Sequence, residues 1–108
     1  VAQYLSLRSD KRNPVRIPVQ IQLAAGEQIE AQMLDLSVKG GLVALSPEAP
    51  LIGRGEQLSL LLPDTLPPVA AIVKRSTRPA GTVRLGLEFA QALPLASFER
   101  LMQLSHDK

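Results

Sequence analysis

An alternation of apolar and polar residues at a period of two constrains this chain more than any other feature. Ile17, Val19, Ile21 and Leu23 alternate with Pro18, Gln20 and Gln22, which puts one apolar face on an extended strand. Ile29, Ala31 and Met33 repeat the pattern after a turn at Ala25-Gly26-Glu27. The parity then slips at Leu34 and Leu36, which predicts a bulge or burial on both faces. Residues 41–45 make a short third strand, Leu58, Leu60 and Leu62 a fourth ended by Pro63, residues 69–75 a fifth, and Val83, Leu85, Leu87 and Phe89 a sixth. Residues 47–55, 64–68 and 79–81 hold the turn formers between them. The last segment changes period: Leu95, Phe98, Leu101, Met102 and Ser105 recur three or four apart behind Pro94. Proline is tolerated in a first helical turn, so a short amphipathic helix is expected, plugging a barrel opening or covering an edge. Six short strands with turns between them predict a small antiparallel barrel or sandwich.

Size and composition narrow the classes. With 108 residues, 45% of them apolar, the chain can build one core, not two. We divide it into an arm or linker over residues 1–11 and one domain over 12–108. There is no Cys, so disulfides and thiolate metal sites are excluded, and a reducing cytoplasm suits the chain. No apolar run approaches the roughly 18 residues of a membrane span, and no secretory signal is visible. The first residue is Val1 rather than Met, as expected of a fragment of a longer chain.

Charge is spread unevenly. Net charge is only +2, yet Arg8, Lys11, Arg12 and Arg16 crowd the N-terminal segment with Asp10 as the single acid. Lys74, Arg75, Arg78 and Arg84 form a second group. Each taken alone reads best as solvated surface; a set facing one site would attract phosphate. Whether the two groups meet is not written in the sequence.

Two short motifs carry the chemistry. Arg12-Asn13-Pro14-Val15-Arg16 lies where Pro14 and Pro18 forbid a regular helix, so its arginines belong to a loop feeding a strand. A guanidinium is a fork of donors that matches guanine O6 and N7 as well as phosphate oxygens. Asp35-Leu36-Ser37-Val38-Lys39-Gly40 ends the second strand. Its carboxylate can accept from guanine N1–H and N2–H₂, and Ser37 can donate or accept nearby. Gly40 and Gly41 allow positive φ and close backbone approach. The competing reading is an Asx-type turn that only closes the loop.

The two motifs, in this order with a hairpin between them, resemble those of the PilZ domain, a bacterial receptor for cyclic di-GMP. Gly86-Leu87-Glu88-Phe89, the strand count and the terminal helix extend the resemblance over about residues 8 to 105. It implies an all-β fold, a six-stranded antiparallel barrel with a short C-terminal helix. It implies that Arg12 and Arg16 contact guanine and phosphate, drawing the arm over the barrel, and that Asp35 and Ser37 contact guanine, with Gly40 and Gly41 shaping the turn. Lys11, just before the first arginine, implies a stacked pair of ligands, and Arg8 an added phosphate contact. The output would pass to a downstream protein or an adjoining domain. No cofactor or metal is implied.

The rival classes fare worse. The only His is His106, near the C-terminus, and there is no Cys nucleophile, H-E-x-x-H or P-loop pattern. A Ser37 nucleophile would lack an activating base, so an enzyme is not expected. Single-stranded nucleic acid needs exposed aromatics, and Tyr4, Phe89 and Phe98 are poor provision. The alternative kept open is a PilZ-type protein-interaction module that binds no nucleotide; such members usually have degraded motifs, and these motifs are complete.

Overall fold

The computed structural model of the chain describes residues 12–50, 52–78 and 81–106. Six strands run β1 (Asn13–Leu23), β2 (Gln28–Leu36), β3 (Gly40–Leu45), β4 (Gln57–Leu61), β5 (Val69–Thr77) and β6 (Val83–Phe89), followed by helix α1 (Leu95–His106). All pairings are antiparallel, and the order β1-β2-β3-β6-β5-β4 closes on itself as a barrel. The expected antiparallel architecture is therefore a barrel, not a sandwich. The arm over residues 1–11, with Arg8 and Lys11, lies outside the described residues.

The period-two pattern translates directly into the core. Val15, Ile17, Val19 and Ile21 point inward from β1, and Pro14, Arg16, Pro18 and Gln20 point out. Met33, Leu36, Val43, Leu60, Val73 and Leu85 meet them from the other strands, all fully buried. Each such side chain contributes roughly 1.5–3 kcal/mol of burial. Ile52 drops from the loop between β3 and β4 into the same core at 1% exposure.

The barrel closes unevenly. β1 pairs with β4 only from Gln20 to Leu23, whereas it pairs with β2 along nearly its whole length. The first half of β1 therefore has a strand on one side only. Pro14 and Pro18 fall in that half, where a missing N–H costs no ladder bond. Between them the Arg16 N–H donates to Ser105 Oγ of α1 at 3.1 Å, so a strand edge is satisfied by the helix rather than by β4.

Helix α1 packs beside this half of β1. Leu101 is fully buried, Ser97 is buried, and Phe98, Met102 and Leu104 are partly so. Leu95 departs from the expected inward face and is 58% exposed. It lies six residues before Leu101, roughly 240° away around a helix of 100° per residue. The stripe that reaches the barrel runs through Ser97, Leu101, Leu104 and Ser105 instead. Arg100 also pairs with Asp64, tying α1 to the loop between β4 and β5, where Asp64 and Thr65 both have positive φ.

Candidate functional site

The β1–β2 hairpin brings the two motifs together. Its turn is closed by Gly26 N–H donating to the Leu23 carbonyl at 2.8 Å, with Gly26 at φ 98°. Folding back from there sets Asn13 opposite Leu36 and Pro14 opposite Asp35. The Arg12 guanidinium then reaches Asp35 Oδ1 at 3.0 Å, across 23 positions of sequence. Asn13 Nδ2 donates to the Leu36 carbonyl at 3.1 Å and pins the same corner.

Breaks in register aim these side chains. On β1 two residues, Val15 and Arg16, span the interval that Leu34 alone spans on β2. Against β3, Leu34 is one residue too many. That is the bulge expected from the parity slip, and it turns Asp35 outward while Met33 and Leu36 both stay inside. Bulges re-aim side chains in this way.

The loop after β2 is held by Ser37, which is buried. Its N–H donates to the Gly40 carbonyl at 2.8 Å. Its hydroxyl donates to the same carbonyl and accepts from the N–H groups of Lys39 and Gly40, at 3.2 to 3.3 Å. A serine hydroxyl has one donor and two acceptor sites, so all three are used inside the turn. Of the two uses expected of these glycines, close backbone approach applies, between strands, and positive φ does not. Neither Gly40 nor Gly41 has a positive φ. A Cβ on Gly40 would lie 2.2 Å from the Leu87 carbonyl oxygen, and one on Gly41 2.8 Å from that of Asp35. Strands approach too closely there for any side chain.

Beside this corner lies an open depression of about 310 Å³ lined by Arg12, Ser37, Lys39, Gly40, Lys74, Arg75, Gly86, Leu87 and Glu88. The two basic groups of the sequence thus meet in part: Arg12 joins Lys74 and Arg75, while Arg78 and Arg84 lie outside the lining. Four cations face one carboxylate, and Lys74 and Glu88 are themselves paired at 3.4 Å. Both ion pairs are substantially exposed, so each contributes at most about 1 kcal/mol to stability. Arg16, exposed on β1, does not line the depression; its backbone is held by Ser105. Lys39, Lys74, Arg75, Gly86 and Glu88 are absent from the candidates drawn from the motifs. A glycine inside the strand-like run 83–89, opposite a basic run, is the signal that could have found them.

A larger depression of about 750 Å³ runs over the end of β1 and over β4, β5 and β6. Among the described residues its only charged lining residue is Glu88, so they offer an anion nothing to pair with. Among the described residues, no three of His, Cys, Asp and Glu converge to hold a metal, and no helix is long and apolar enough to cross a membrane.

Residues 6–106 match the family model of the PilZ domain. Solved structures agree in fold. The inhibitor of motility MotI/DgrA of Bacillus subtilis aligns with TM-score 0.65 at 24% identity, over 89% of this chain and 48% of its own. The PilZ domain of YcgR from Escherichia coli, solved with c-di-GMP, aligns with TM-score 0.58 at 16% identity, over 90% and 87%. The PilZ domain of CeSA from a cellulose-synthesizing bacterium aligns with TM-score 0.59 at 23% identity, over 91% and 97%. The chain spans 48% of the solved MotI/DgrA chain and 42% of the YcgR chain solved in complex with c-di-GMP. No curated protein sequence matches. With the family match running over nearly the whole chain and the barrel, motif corner and terminal helix all in place, this chain belongs to the PilZ domain family.

Proposed function

We propose that this chain is a receptor domain for cyclic di-GMP. The observation that carries the reading is the meeting of Arg12 and Asp35 at 3.0 Å on the rim of a depression with four cations and one carboxylate. Such a corner offers a guanine both of its partners: a guanidinium for O6 and N7, and a carboxylate for N1–H and N2–H₂. The surplus cations suit the two phosphates of the ring. The YcgR PilZ domain, similar in fold, is solved with the same ligand.

Without ligand, Arg12 and Asp35 satisfy one another. Ligand entry exchanges that exposed pair for contacts with guanine and phosphate, at little cost because the pair itself is weak. Arg16 approaches from the outer face of β1. Ser37 serves the site by holding the loop, since its hydroxyl has no donor to spare. Arm closure by residues 1–11, a stacked pair of ligands favoured by Lys11, and passage of the signal to a partner protein or adjoining domain complete the proposal. In this reading the domain binds and does not catalyse: the Ser37 hydroxyl donates to the Gly40 carbonyl and, among the described residues, accepts from backbone N–H groups.

Calorimetric titration of the chain with cyclic di-GMP, against GTP and cyclic di-AMP, tests the reading. Selective binding at micromolar or tighter affinity is expected, with the stoichiometry reporting one ligand or two. No heat and no thermal shift at high ligand would overturn it in favour of a protein-interaction module.

A further inference from the structure

We propose that Arg75 is a further ligand-binding residue of this site: its guanidinium, lifted to the surface by a bulge in β5 and laid over Gly86, is the plane on which a guanine of cyclic di-GMP stacks. The inference rests on the receptor reading above and deepens it.

The register is the first observation. Val73 pairs with Leu87 and Arg75 with Gly86, so Lys74 is one residue too many on β5. Strict alternation after the buried Val73 would send Arg75 inward. The bulge instead leaves Lys74 and Arg75 both exposed, and Arg75 then lines the depression shared with Arg12, Ser37 and Gly40. The bulge in β2 does the same for Asp35, so Arg75 is aimed by the device that aims a motif residue.

Gly86 is the second. It sits on the outer face of β6 between the exposed Arg84 and Glu88, yet it is buried. A Cβ placed there would meet Arg75 Cβ and Nε at 3.6 Å and Nη2 at 3.9 Å. The arginine therefore runs across bare backbone with its guanidinium over it, close enough that a Cβ there would touch it in ordinary van der Waals contact.

Chemistry is the third. A guanidinium is planar, weakly hydrated and stacks on π systems. Among the described residues Arg12 is held by Asp35 and Lys74 by Glu88, while no ion pair involves Arg75. No aromatic among the described residues lines the depression. Among the described lining residues Arg75 is the guanidinium that no carboxylate has to release before it receives a base, while Arg12 is assigned to the guanine edge.

Titration of the 108-residue chain and its R75A and R75K variants with cyclic di-GMP tests this, with thermal midpoints as the folding control. R75A should bind roughly tenfold more weakly. R75K, which keeps the charge and loses the plane, should still bind severalfold more weakly. In the wild type the Arg75 Nε–H resonance should move upfield on ligand addition, as a ring current requires, and this reading stands even if R75A fails to fold. Wild-type affinity in R75K, or an unmoved Nε–H signal, would overturn stacking. Wild-type affinity in R75A would overturn the inference while leaving the receptor reading intact, and no binding by the wild type would overturn both.

Discussion

The two ends of the β1–β2 hairpin are built from the same kind of strand and behave differently. Near the turn, from Ile17–Met33 to Gln22–Gln28, register is unbroken, and on β1 the side chains from Ile17 to Ile21 alternate between core and solvent. At the far end register shifts in β1, in β2 and, across the barrel, in β5. The regular end makes core; the irregular end makes the candidate site. A strand that alternates perfectly spends every second residue on the interior, whereas a bulge turns two neighbours outward and gathers charge on one face.

Glycine draws the contrast most sharply, and substitutions there should show the largest effects. Gly40 at the irregular end would carry a Cβ 2.2 Å from the Leu87 carbonyl, a backbone atom that cannot rotate away. Gly40→Ala should cost about 4 kcal/mol or more, read as a lowered denaturant midpoint. At the regular end Gly26 has φ 98° and nothing within 4 Å of its Cβ position. Gly26→Ala should cost only about 1 kcal/mol, from the left-handed backbone alone. Equal losses at both would erase the distinction between close packing and strain.

Ligand affinity should separate the ends next. Arg12→Ala or Asp35→Ala should weaken cyclic di-GMP binding about tenfold to a hundredfold or more with little change in stability, because the pair they form is exposed. Unchanged affinity in calorimetry would move the site away from this corner. Ser37→Ala acts on both properties. It strands the buried Gly40 N–H and the partly buried Lys39 N–H and should cost about 2 kcal/mol, with binding weakened in step. A variant that lost affinity at full stability would return Ser37 to direct ligand contact. The smallest effect belongs to Lys74→Ala: its pair with Glu88 is exposed, and stability should change by less than about 0.5 kcal/mol.

Much of this was legible in the residues. The six strands and the helix stand where period two and period three-to-four placed them, because burial on one face imposes a period that sequence displays directly. The bulge at Leu34 was legible for the same reason: apolar residues on both sides of it mark the parity change. The β5 bulge was not, since everything from Lys74 to Thr77 is polar and no apolar marker records which face is inside. The β1 offset was hidden too, because it is matched by Leu34 on the partner strand and leaves the alternation of Val15, Ile17 and Val19 intact. Leu95 misled because an apolar residue at helix spacing faces the core only where the helix is already against it.

By itself the sequence determined the period of each element, the turn positions, the complete pair of motifs and hence the family, all of which are local or short-range properties. Tertiary structure decided which charges share a face: that Arg12 meets Asp35, that Lys74 and Arg75 join them while Arg78 and Arg84 do not, and that Gly40 is required by a carbonyl 47 positions further along the chain. The reason is barrel closure. Residues far apart in sequence become neighbours only through strand register, and register is set by the packing of all six strands at once.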